Sequence, residues 1–296
     1  MQHTPMSQFW HDEWERILDQ YPLTTRSLPL KQQVERWSKV ARTCGVDLGM
    51  NSERVRDVMD LMTSLNLIDE RSAILDIGCG SGAYSIPIAK RAGHVDALDF
   101  STDMLELLKR RMQEDSVTNI RPIHEHFSNF AQYAKINGGL YDLVFASLNP
   151  GVYSGDSILE MTALSKKYCI YIAAKQIVTQ SEIELDPLVL DEKSALIKGS
   201  NVIYPFNMLY HMGYEPQIYY TSYYSEREET CEVAFNRIKN DYKEKAPEKD
   251  GYEDKILSYI EDHLHKGVFT EKTSGTLGIL LWHVTTPYVK VQSFLP

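Results

Sequence analysis

Five short apolar runs, separated by stretches of helical periodicity, shape the sequence from residue 72 onward. The helical stretches lie near residues 82–92, 102–113, 127–136 and 156–167. Apolar strands that alternate with helices are typical of a parallel sheet covered on both faces. Each helix returns the chain to the end of the sheet at which the strands begin, so the next strand runs parallel to the last. The pattern therefore predicts an α/β fold with a doubly wound, mostly parallel sheet. The runs are AILDIG (73–78), VDALDF (95–100), IRPIHE (120–125), YDLVFAS (141–147) and YCIYIAA (168–174).

The segments on either side of these runs predict additions to the same sheet domain. Residues 1–70 have helical periodicity, and we expect them to form an N-terminal helical cap. Residues 71–296 are predicted to form one sheet domain. It would contain a helical insertion at about 226–268, followed by a last buried strand.

Two local patterns precede and open that insertion. Residues 175–199 are expected to form a long connecting loop, which in a compact domain is usually functional or mobile. Ser225 and Glu228 have the S-x-x-E spacing of a capping box, so the sequence predicts that a helix starts there.

The acidic composition narrows the classes of partner. The formal net charge is −10 and the pI is about 5.4, whereas proteins that bind nucleic acid in bulk are usually basic. No run approaches the roughly 18 apolar residues of a membrane-spanning helix, and the polar N-terminus lacks the features of a signal peptide. We therefore expect a cytoplasmic protein that binds neither bulk nucleic acid nor a membrane.

The spacing of cysteines and histidines predicts no metal site. The four cysteines have no CxxC spacing, and the nine histidines show no HExxH pattern. Scattered cysteines also suit a reducing compartment. The cysteines are Cys44, Cys79, Cys169 and Cys231.

The most informative run is LDIGCGSGAYSIPIA, at residues 75–89. Asp76 ends a predicted strand, and Gly78, Gly80 and Gly82 follow at alternate positions before a helix begins. Glycines allow a sharp turn from strand to helix and let a ligand approach the backbone closely. The N-terminus of the helix presents free N–H groups, which suit a carboxylate or a phosphate. The run therefore predicts a ligand-binding loop.

Asp99 ends the second predicted strand, seventeen residues after Gly82. An acid at this position of a doubly wound sheet can accept both hydroxyl groups of a ribose. No GK(S/T) follows the glycines, which excludes a P-loop, but the spacing also fits the GxGxx(G/A) pattern of dinucleotide sites. No Lys or Arg lies near the loop to balance a pyrophosphate, and the first are Lys90 and Arg91. Because Asp76 could meet an ammonium group, the charges favour a ligand with an amine, a carboxylate, a sulfonium and a ribose.

Together with DFSTDML (99–105), the run LDIGCGSG resembles the class I S-adenosylmethionine-dependent methyltransferases. The resemblance covers residues 72 to about 175 and, loosely, the last two strands. It implies a Rossmann-like domain with a seven-stranded sheet of order 3-2-1-4-5-7-6 and S-adenosylmethionine as the cofactor. The enzyme class implied is a transferase of one-carbon groups.

The resemblance also implies roles for individual residues. His126 stands where the family often has an acid that contacts the adenine amine, and Glu125 or a backbone group could take that role. The implied cofactor-binding residues are Asp76, Ile77, Gly78, Gly80 and Gly82 at the methionine part, Asp99 at the ribose, Phe100, Met104, His126 and Phe127 at the adenine, and Ala146 and Ser147 beneath the sulfonium.

The segment SLNPGVYSG (147–155) follows the fourth strand, at the sheet edge where ligands of this fold bind. Asn149, Pro150 and Tyr153 faintly resemble the (N/D)PPY motif of amino-group methyltransferases, in which side-chain and backbone oxygens hold an NH2 group. Gly151 and Val152 replace the second proline of that motif, and the Asn lies two residues later after the strand than in the motif. Asn149 and Tyr153 are therefore the candidate catalytic residues, and the alternative is a Pro–Gly turn that only shapes the pocket rim.

Further candidates lie around the acceptor side. Oxygen and nitrogen acceptors can need a base, and His124, His126 and Tyr153 are candidates for that role. The cap side chains that could face the substrate are Trp10, His11, Trp14 and Tyr21. The tryptophans could instead be buried against the sheet domain.

We predict a methyltransferase that acts on a small-molecule acceptor. Two alternatives stay open: an N-methyltransferase of a protein or nucleobase amino group, and a non-catalytic protein that binds S-adenosylmethionine. A dehydrogenase has less support, since no paired His and Asp can be assigned to hydride transfer.

Overall fold

The computed structural model describes residues 4–20, 30–44, 53–137, 140–190, 202–245 and 251–285. These residues contain one β-sheet, which forms the centre of the fold. Its strands are β1 (Ala73–Ile77), β2 (His94–Asp99), β3 (Ile120–His124), β4 (Tyr141–Ser147), β5 (Ser165–Thr179), β6 (Gln217–Thr230), β7 (Leu264–His265) and β8 (Val268–His283). The order is β3-β2-β1-β4-β5-β8-β6, and the two-residue β7 pairs with β8.

The parallel half of the sheet confirms the predicted fold class. β1 lies between β2 and β4 and is parallel to both, while β3 and β5 extend the parallel ladder on either side. Successive residues of these strands are buried, such as Ile74 and Leu75 in β1 and Leu143 and Val144 in β4, because both faces of the sheet are covered. If β7 is set aside, the strand order is the one that the family resemblance implies.

Helices fill the connections between the parallel strands. The helices predicted near 102–113 and 127–136 are confirmed as α5 (Thr102–Glu114) and α6 (Phe127–Asn137). None of the helices in the described ranges is long and apolar enough to cross a membrane. The other described helices are α1 (Pro5–Gln20), α2 (Leu30–Cys44), α3 (Glu53–Ser64), α4 (Ser85–Ala89), α7 (Gly155–Leu164), α8 (Gln180–Val189), α9 (Ile203–His211), α10 (Cys231–Lys245) and α11 (Glu253–Asp262).

The long loop predicted over 175–199 is wrong in its first part. β5 continues to Thr179, and α8 follows directly. The Thr179 side chain accepts the N–H of Glu182 at 3.1 Å, and the Glu182 carboxylate accepts the N–H of Thr179 at 3.1 Å. This reciprocal cap starts a helix where the acidic sequence had indicated a loop. Residues 191–199 lie outside the described residues.

The helix start predicted at Ser225 is also wrong. Ser225 and Glu228 both lie within β6, and α10 begins only at Cys231. Pairing in the sheet keeps this stretch extended, so the S-x-x-E spacing has no helix N-terminus to cap.

The chain divides into two compact units. The first comprises residues 1–173, 200–221 and 278–296. The second comprises residues 174–199 and 222–277, and it has its own apolar core, which includes Tyr242, Ile256 and Phe269. The division into a helical cap over 1–70 and a domain over 71–296 with an insertion at about 226–268 stays a prediction.

The core of the first unit contains one of the cap tryptophans. Trp14 of α1 is 0% exposed, and its ring centroid lies 6.5 Å from that of Tyr171 in β5. Trp10 is partly buried against the same core, with its ring 6.3 Å from that of Tyr204 in α9. Of the two alternatives for Trp14, burial against the sheet domain is therefore the one observed. Tyr21 lies outside the described residues.

Candidate functional site

The loop after β1 turns over the carboxyl ends of β1 and β2. The N–H groups of Gly78 and Cys79 donate to the carbonyl oxygen of Leu98 at 2.7 and 3.0 Å. Gly78, Gly80 and Gly82 have φ angles of +69°, +54° and +88°, a region that residues with a Cβ atom rarely adopt. The backbone path therefore accounts for glycine at all three positions.

A buried guanidinium group supports this loop from behind. Arg111 of α5 is 2% exposed, and its Nη1 donates to the carbonyl oxygen and to Oγ of Ser81 at 2.9 and 2.8 Å. The expectation that no Lys or Arg lies near the loop is therefore wrong, because α5 brings in a residue thirty positions further along the chain. A basic residue near the C-terminal end of an amphipathic helix is usually exposed to solvent. The sequence therefore gave no indication that Arg111 is buried against the loop.

Asp99 ends β2 with its carboxylate group turned toward the glycine loop. Its Oδ2 accepts the N–H of Gly80 at 2.9 Å, and its Oδ1 accepts the N–H of Ser101 at 2.8 Å. Burial raises the pKa of this carboxyl group, and the two N–H donors act in the opposite direction. Each carboxylate oxygen has more than one acceptor site, so both can still accept a ribose hydroxyl.

Asp76 lies within β1, beneath the loop, and is 2% exposed. Its Oδ2 accepts a hydrogen bond from Oγ of Ser85 at 2.5 Å. Burial raises the pKa of Asp76 to about 7, and the neighbouring Asp99 carboxylate adds to the rise. A ligand ammonium group nearby would stabilise the ionised form of this acid.

Two rings and an acid lie beyond Asp99. The ring centroids of Phe100 and His126 are 6.2 Å apart with an interplanar angle of 35°, and both residues line the cleft. Glu125 also lines it, and its carboxylate accepts the N–H of His126 at 2.8 Å and Nδ2–H of Asn129 at 3.0 Å. These donors hold the pKa of Glu125 below its usual value. The rings are placed to flank a planar base, with an ionised acid beside it.

The loop after β4 approaches the glycine loop through Asn149. A Cβ atom on Gly78 would lie 2.3 Å from Nδ2 and 2.5 Å from Cγ of Asn149. Only glycine at 78 therefore leaves room for the Asn149 side chain. Oδ1 of Asn149 also accepts the N–H of Gly151 at 2.7 Å. Asn149 thus joins the loops that follow β1 and β4.

Tyr153 and His11 lie further along the same connection. Tyr153 packs against the core of the first unit, and its N–H donates to Oγ of Ser157 at 3.0 Å, next to the start of α7. His11 of α1 packs against Gly155, with its Nε2 3.4 Å from a carboxylate oxygen of Asp156. The first cap helix therefore reaches the segment after β4, and its role toward a substrate stays a prediction.

One open cleft brings part of the predicted site together. Of the predicted cofactor-binding residues, it is lined by Ile77, Gly78, Asp99, Phe100, His126 and Phe127, and the candidate Asn149 lines it as well. Sequence reasoning missed Leu98 and Gly151. Leu98 is one apolar residue in a buried strand, so its sequence context did not indicate a position in the cleft. Gly151 contributes through its backbone N–H, which a pattern of side chains cannot predict.

The remaining predicted residues lie outside this lining. Met104 is buried in a separate cluster with Ala41 and Leu107. Gly82 packs under the loop against Leu108, and Tyr153 lies beyond the rim. The others are Asp76 beneath the loop, Gly80 beside the cleft, and Ala146 and Ser147 at the end of β4.

The cleft fits an adenosine cofactor that carries an amino-acid end. In the described part of the chain, nothing lies within 4 Å of a Cβ atom built on Gly80, so open space adjoins the loop. The Asp99 carboxylate can take ribose hydroxyls, and the Phe100 and His126 rings can flank adenine. Among the described residues, the lining contains no Lys or Arg to balance a pyrophosphate. The donor set therefore suits S-adenosylmethionine better than a dinucleotide.

No group of three or more His, Cys, Asp or Glu side chains is placed to hold a metal ion among the described residues. The expected absence of a metal stays a prediction.

A family model described as a methyltransferase domain matches residues 74–162. The matched stretch runs from β1 into α7. It contains the glycine loop, Asp99, the Phe100 and His126 rings, and Asn149.

Several proteins are similar in sequence over part of the chain. An uncharacterized protein of Haemophilus influenzae is 28% identical over 160 residues, which cover 53% of this chain and 56% of that protein. EEF1A lysine methyltransferase 2 of Danio rerio is 31% identical over 110 residues (35% and 46%). A probable cobalt-precorrin-6B C(15)-methyltransferase (decarboxylating) of Methanocaldococcus jannaschii is 25% identical over 136 residues (46% and 67%). The match spans about half the length of the first two relatives.

Solved structures give looser similarities. A magnesium protoporphyrin IX methyltransferase from Synechocystis with bound S-adenosylhomocysteine has a TM-score of 0.43 at 18% identity, covering 73% of this chain and 90% of that one. A precorrin-6y C5,15-methyltransferase from Geobacter metallireducens has a TM-score of 0.45 at 13% identity (80% and 90%). The chain is therefore similar to methyltransferases over residues 74–162, the stretch that contains the glycine loop and Asp99.

Proposed function

We propose that this protein binds S-adenosylmethionine in the cleft between the loops after β1 and β4 and transfers the methyl group to a small-molecule acceptor. The observation that carries the proposal is the position of Asp99. Its buried carboxylate group lines the cleft and is held by the N–H of Gly80, so a ribose placed there lies against the glycine loop.

Each part of the cleft would hold one part of the cofactor. Asp99 would accept the ribose hydroxyls, and Phe100 and His126 would flank the adenine. Gly78 and Gly80 would leave room for the methionine part, with Asp76 beneath its ammonium group. When bound, the cofactor supplies an electrophilic methyl group on a sulfonium. The protein's task is then to hold an acceptor in line with that group, and positioning of this kind can provide much of the rate.

A small molecule is the acceptor that the observations favour. The net charge of −10 disfavours bulk nucleic acid. The relative from Methanocaldococcus jannaschii is named as a probable methyltransferase of a small molecule, cobalt-precorrin-6B. A protein acceptor is the second candidate, because the relative from Danio rerio is named as a lysine methyltransferase.

Calorimetric titration tests the cofactor site. We expect S-adenosylmethionine and S-adenosylhomocysteine to bind and NADH not to bind. Replacing Asp99 by alanine removes two charge-assisted hydrogen bonds to the ribose, so we expect Asp99→Ala to weaken both sulfur ligands by about 30-fold or more. The matched control is Asp115→Asn, which changes a surface carboxylate paired with Lys90 and should leave the affinity within about twofold.

Transfer of a radioactive methyl group tests turnover with the same variants. The wild-type protein would be incubated with labelled S-adenosylmethionine and the separated small-molecule, protein and nucleic-acid fractions of a cell extract. We expect label in the small-molecule fraction, and its loss with Asp99→Ala. Label in the protein fraction alone would favour the second candidate. Binding without label in any fraction would contradict catalysis, and binding of NADH alone would contradict the cofactor.

A further inference from the structure

Leu148, the first residue after β4, has a backbone conformation that leucine rarely adopts. Its φ angle is +49°, in the left-handed region, where the Cβ atom of an L-residue comes too close to the following carbonyl oxygen. The side chain is half-buried. The folded state therefore carries local backbone strain next to the candidate site.

The described part of the chain contains three other non-glycine residues with a positive φ angle, and each has an ordinary explanation. Asn66 and Ser116 follow the last turns of α3 and α5, where a left-handed residue commonly ends a helix. Lys266 lies in the two-residue turn that joins β7 to β8, and the favoured turns of that length need a positive φ angle. Leu148 follows a strand instead, so neither explanation applies to it.

Contacts on both sides of Leu148 impose this conformation. Its N–H donates to the carbonyl oxygen of Ile172 in β5 at 2.9 Å, so the sheet still holds this residue. The next residues form a turn, in which Oδ1 of Asn149 accepts the N–H of Gly151 at 2.7 Å and the Asn149 carbonyl oxygen accepts the N–H of Val152 at 3.2 Å. Val152 is 1% exposed and packs in the core of the first unit. The chain therefore has to change direction at one residue, between the sheet and this turn.

The change of direction places Asn149 beside the glycine loop. β4 lies between β1 and β5 in the sheet. With an ordinary extended backbone at Leu148, the chain would continue along β5, and Asn149 would move away from the loop that follows β1. In the left-handed conformation, the Asn149 amide instead lies against Gly78, where a Cβ atom would collide with it. Both residues line the cleft, so their contact fixes the spacing between the loops after β1 and β4.

We infer that Leu148 is a positioning residue, whose left-handed backbone holds Asn149 against Gly78 and thereby keeps the cleft in the arrangement that binds the cofactor. This inference rests on the proposed function of the cleft. Backbone strain persists only where the surrounding structure enforces it, and it concentrates at binding and catalytic sites. Because the two loops are arranged before the ligand arrives, less ordering has to accompany binding.

Three substitutions at position 148 test the backbone conformation. Asparagine tolerates a left-handed backbone best, alanine tolerates it less well, and valine least, because valine is branched at Cβ. We therefore expect the midpoint of urea denaturation to be highest for Leu148→Asn, intermediate for Leu148→Ala and lowest for Leu148→Val. A lower midpoint for Leu148→Asn than for Leu148→Val would contradict the strain.

Binding of S-adenosylhomocysteine, measured by calorimetry where each variant is folded, tests the positioning. We expect Leu148→Asn to bind within about twofold of the wild type, and Leu148→Val, which favours an extended backbone, to bind about fivefold or more weakly. A turn with only a structural role would shift the urea midpoints and leave the affinity unchanged. Equal affinities of Leu148→Asn and Leu148→Val would therefore overturn the inference.

A double-mutant cycle shows whether Leu148 acts through Asn149. Asn149→Ala removes the side chain that contacts Gly78, and we expect it to weaken binding of S-adenosylhomocysteine by about the same factor as Leu148→Val. Adding Leu148→Val to Asn149→Ala should change the affinity by less than about twofold more, because the contact is already lost. If Leu148→Val does not fold, Asn149→Ala alone decides, since binding like that of the wild type overturns the inference.

Failure of this inference is separable from failure of the proposed function. If the wild-type protein and all the folded variants bind S-adenosylhomocysteine equally, only the role of Leu148 is overturned. If the wild-type protein does not bind this ligand, the proposed function itself is overturned.

Discussion

The carboxyl group of Asp76 makes the stability of the free protein depend on pH. Its pKa is raised to about 7 in the folded protein, against about 3.9 in an unfolded chain. Between these values the folded state binds the proton more tightly, so stability falls as the pH rises from about 4 to about 7. We expect Asp76→Asn, which cannot ionise, to stabilise the protein by about 3 kcal/mol more at about pH 8 than at about pH 4. Urea denaturation at the two pH values measures this difference.

The control for Asp76 is a carboxylate at the surface. Asp115 pairs with Lys90, and both side chains are partly exposed. Asp115→Asn should change the free energy of unfolding by less than about 0.5 kcal/mol at either pH. An equal effect of Asp76→Asn at the two pH values would contradict the coupling between this carboxyl group and stability.

At the scale of residues, the sequence is informative where the backbone itself imposes the residue type. The alternate glycines and Asp99 were predictable, because a strand-to-helix turn with positive φ angles and an acid at the end of the second strand recur in doubly wound sheets. The direction of the Asn149 amide was not predictable, because it depends on a backbone N–H two residues away. The family resemblance implied that Met104 lies at the adenine, but its side chain is buried in a cluster that includes Ala41 of α2.

At the scale of elements, α5 and the glycine loop depend on each other through Arg111. Arg111→Met keeps most of the buried volume but leaves the Ser81 carbonyl and hydroxyl groups without this donor. We expect a loss of about 2–3 kcal/mol in the free energy of unfolding and weaker binding of S-adenosylhomocysteine, because the loop loses its support. Urea denaturation and calorimetry measure the two effects.

The control for Arg111 lies on the same helix. Lys109 forms an exposed pair with Glu106, so Lys109→Met should cost less than about 0.5 kcal/mol and leave ligand binding unchanged. If the two variants proved equally stable, the guanidinium group would have no role in holding the loop.

The strands and helices of the parallel half could be predicted from the sequence. The elements after β5 could be predicted only in part. Buried parallel strands produce continuous apolar runs, and these can be read directly. The later strands, β6 and β8, contain charged and polar residues at one end, such as Glu226 and Lys272, so the extended region is longer than its apolar part. The start of α8 was hidden because the Thr179 and Glu182 cap follows a strand without an intervening loop.

At the scale of the whole molecule, the net charge of −10 should influence how fast ligands arrive. S-adenosylmethionine carries a net charge of about +1 at neutral pH, whereas S-adenosylhomocysteine lacks the sulfonium and is about neutral. We expect the association rate constant of S-adenosylmethionine to fall several-fold between about 20 and 300 mM salt, and that of S-adenosylhomocysteine to change by less than about 1.5-fold. Stopped-flow tryptophan fluorescence measures both.

The neutral ligand serves as the control in that experiment. It shares the ribose and adenine contacts and differs in the methylated sulfur. The same salt dependence for both ligands would show that the field of the molecule does not steer the cofactor.

The doubly wound sheet could be predicted from the sequence, but the division of the chain into two compact units could not. Alternating strands and helices indicate the doubly wound sheet, and the strand order came through the family resemblance. The second unit has a core of its own, which includes Tyr242, Ile256 and Phe269. Its members come from separate segments of the chain, so no single window of sequence reveals that they meet.

The pairing of β1 with β4 has a consequence for protein engineering. Ile77 lies opposite Ala146, so the loops after the two strands begin at the same level of the sheet. The short connection over residues 148–154 could be exchanged between related enzymes as a cassette, while the strands beneath it keep their register. Such a chimera would inherit its acceptor preference from the donor of the cassette and its affinity for the nucleoside from the host, whose β2 and β3 ends stay untouched.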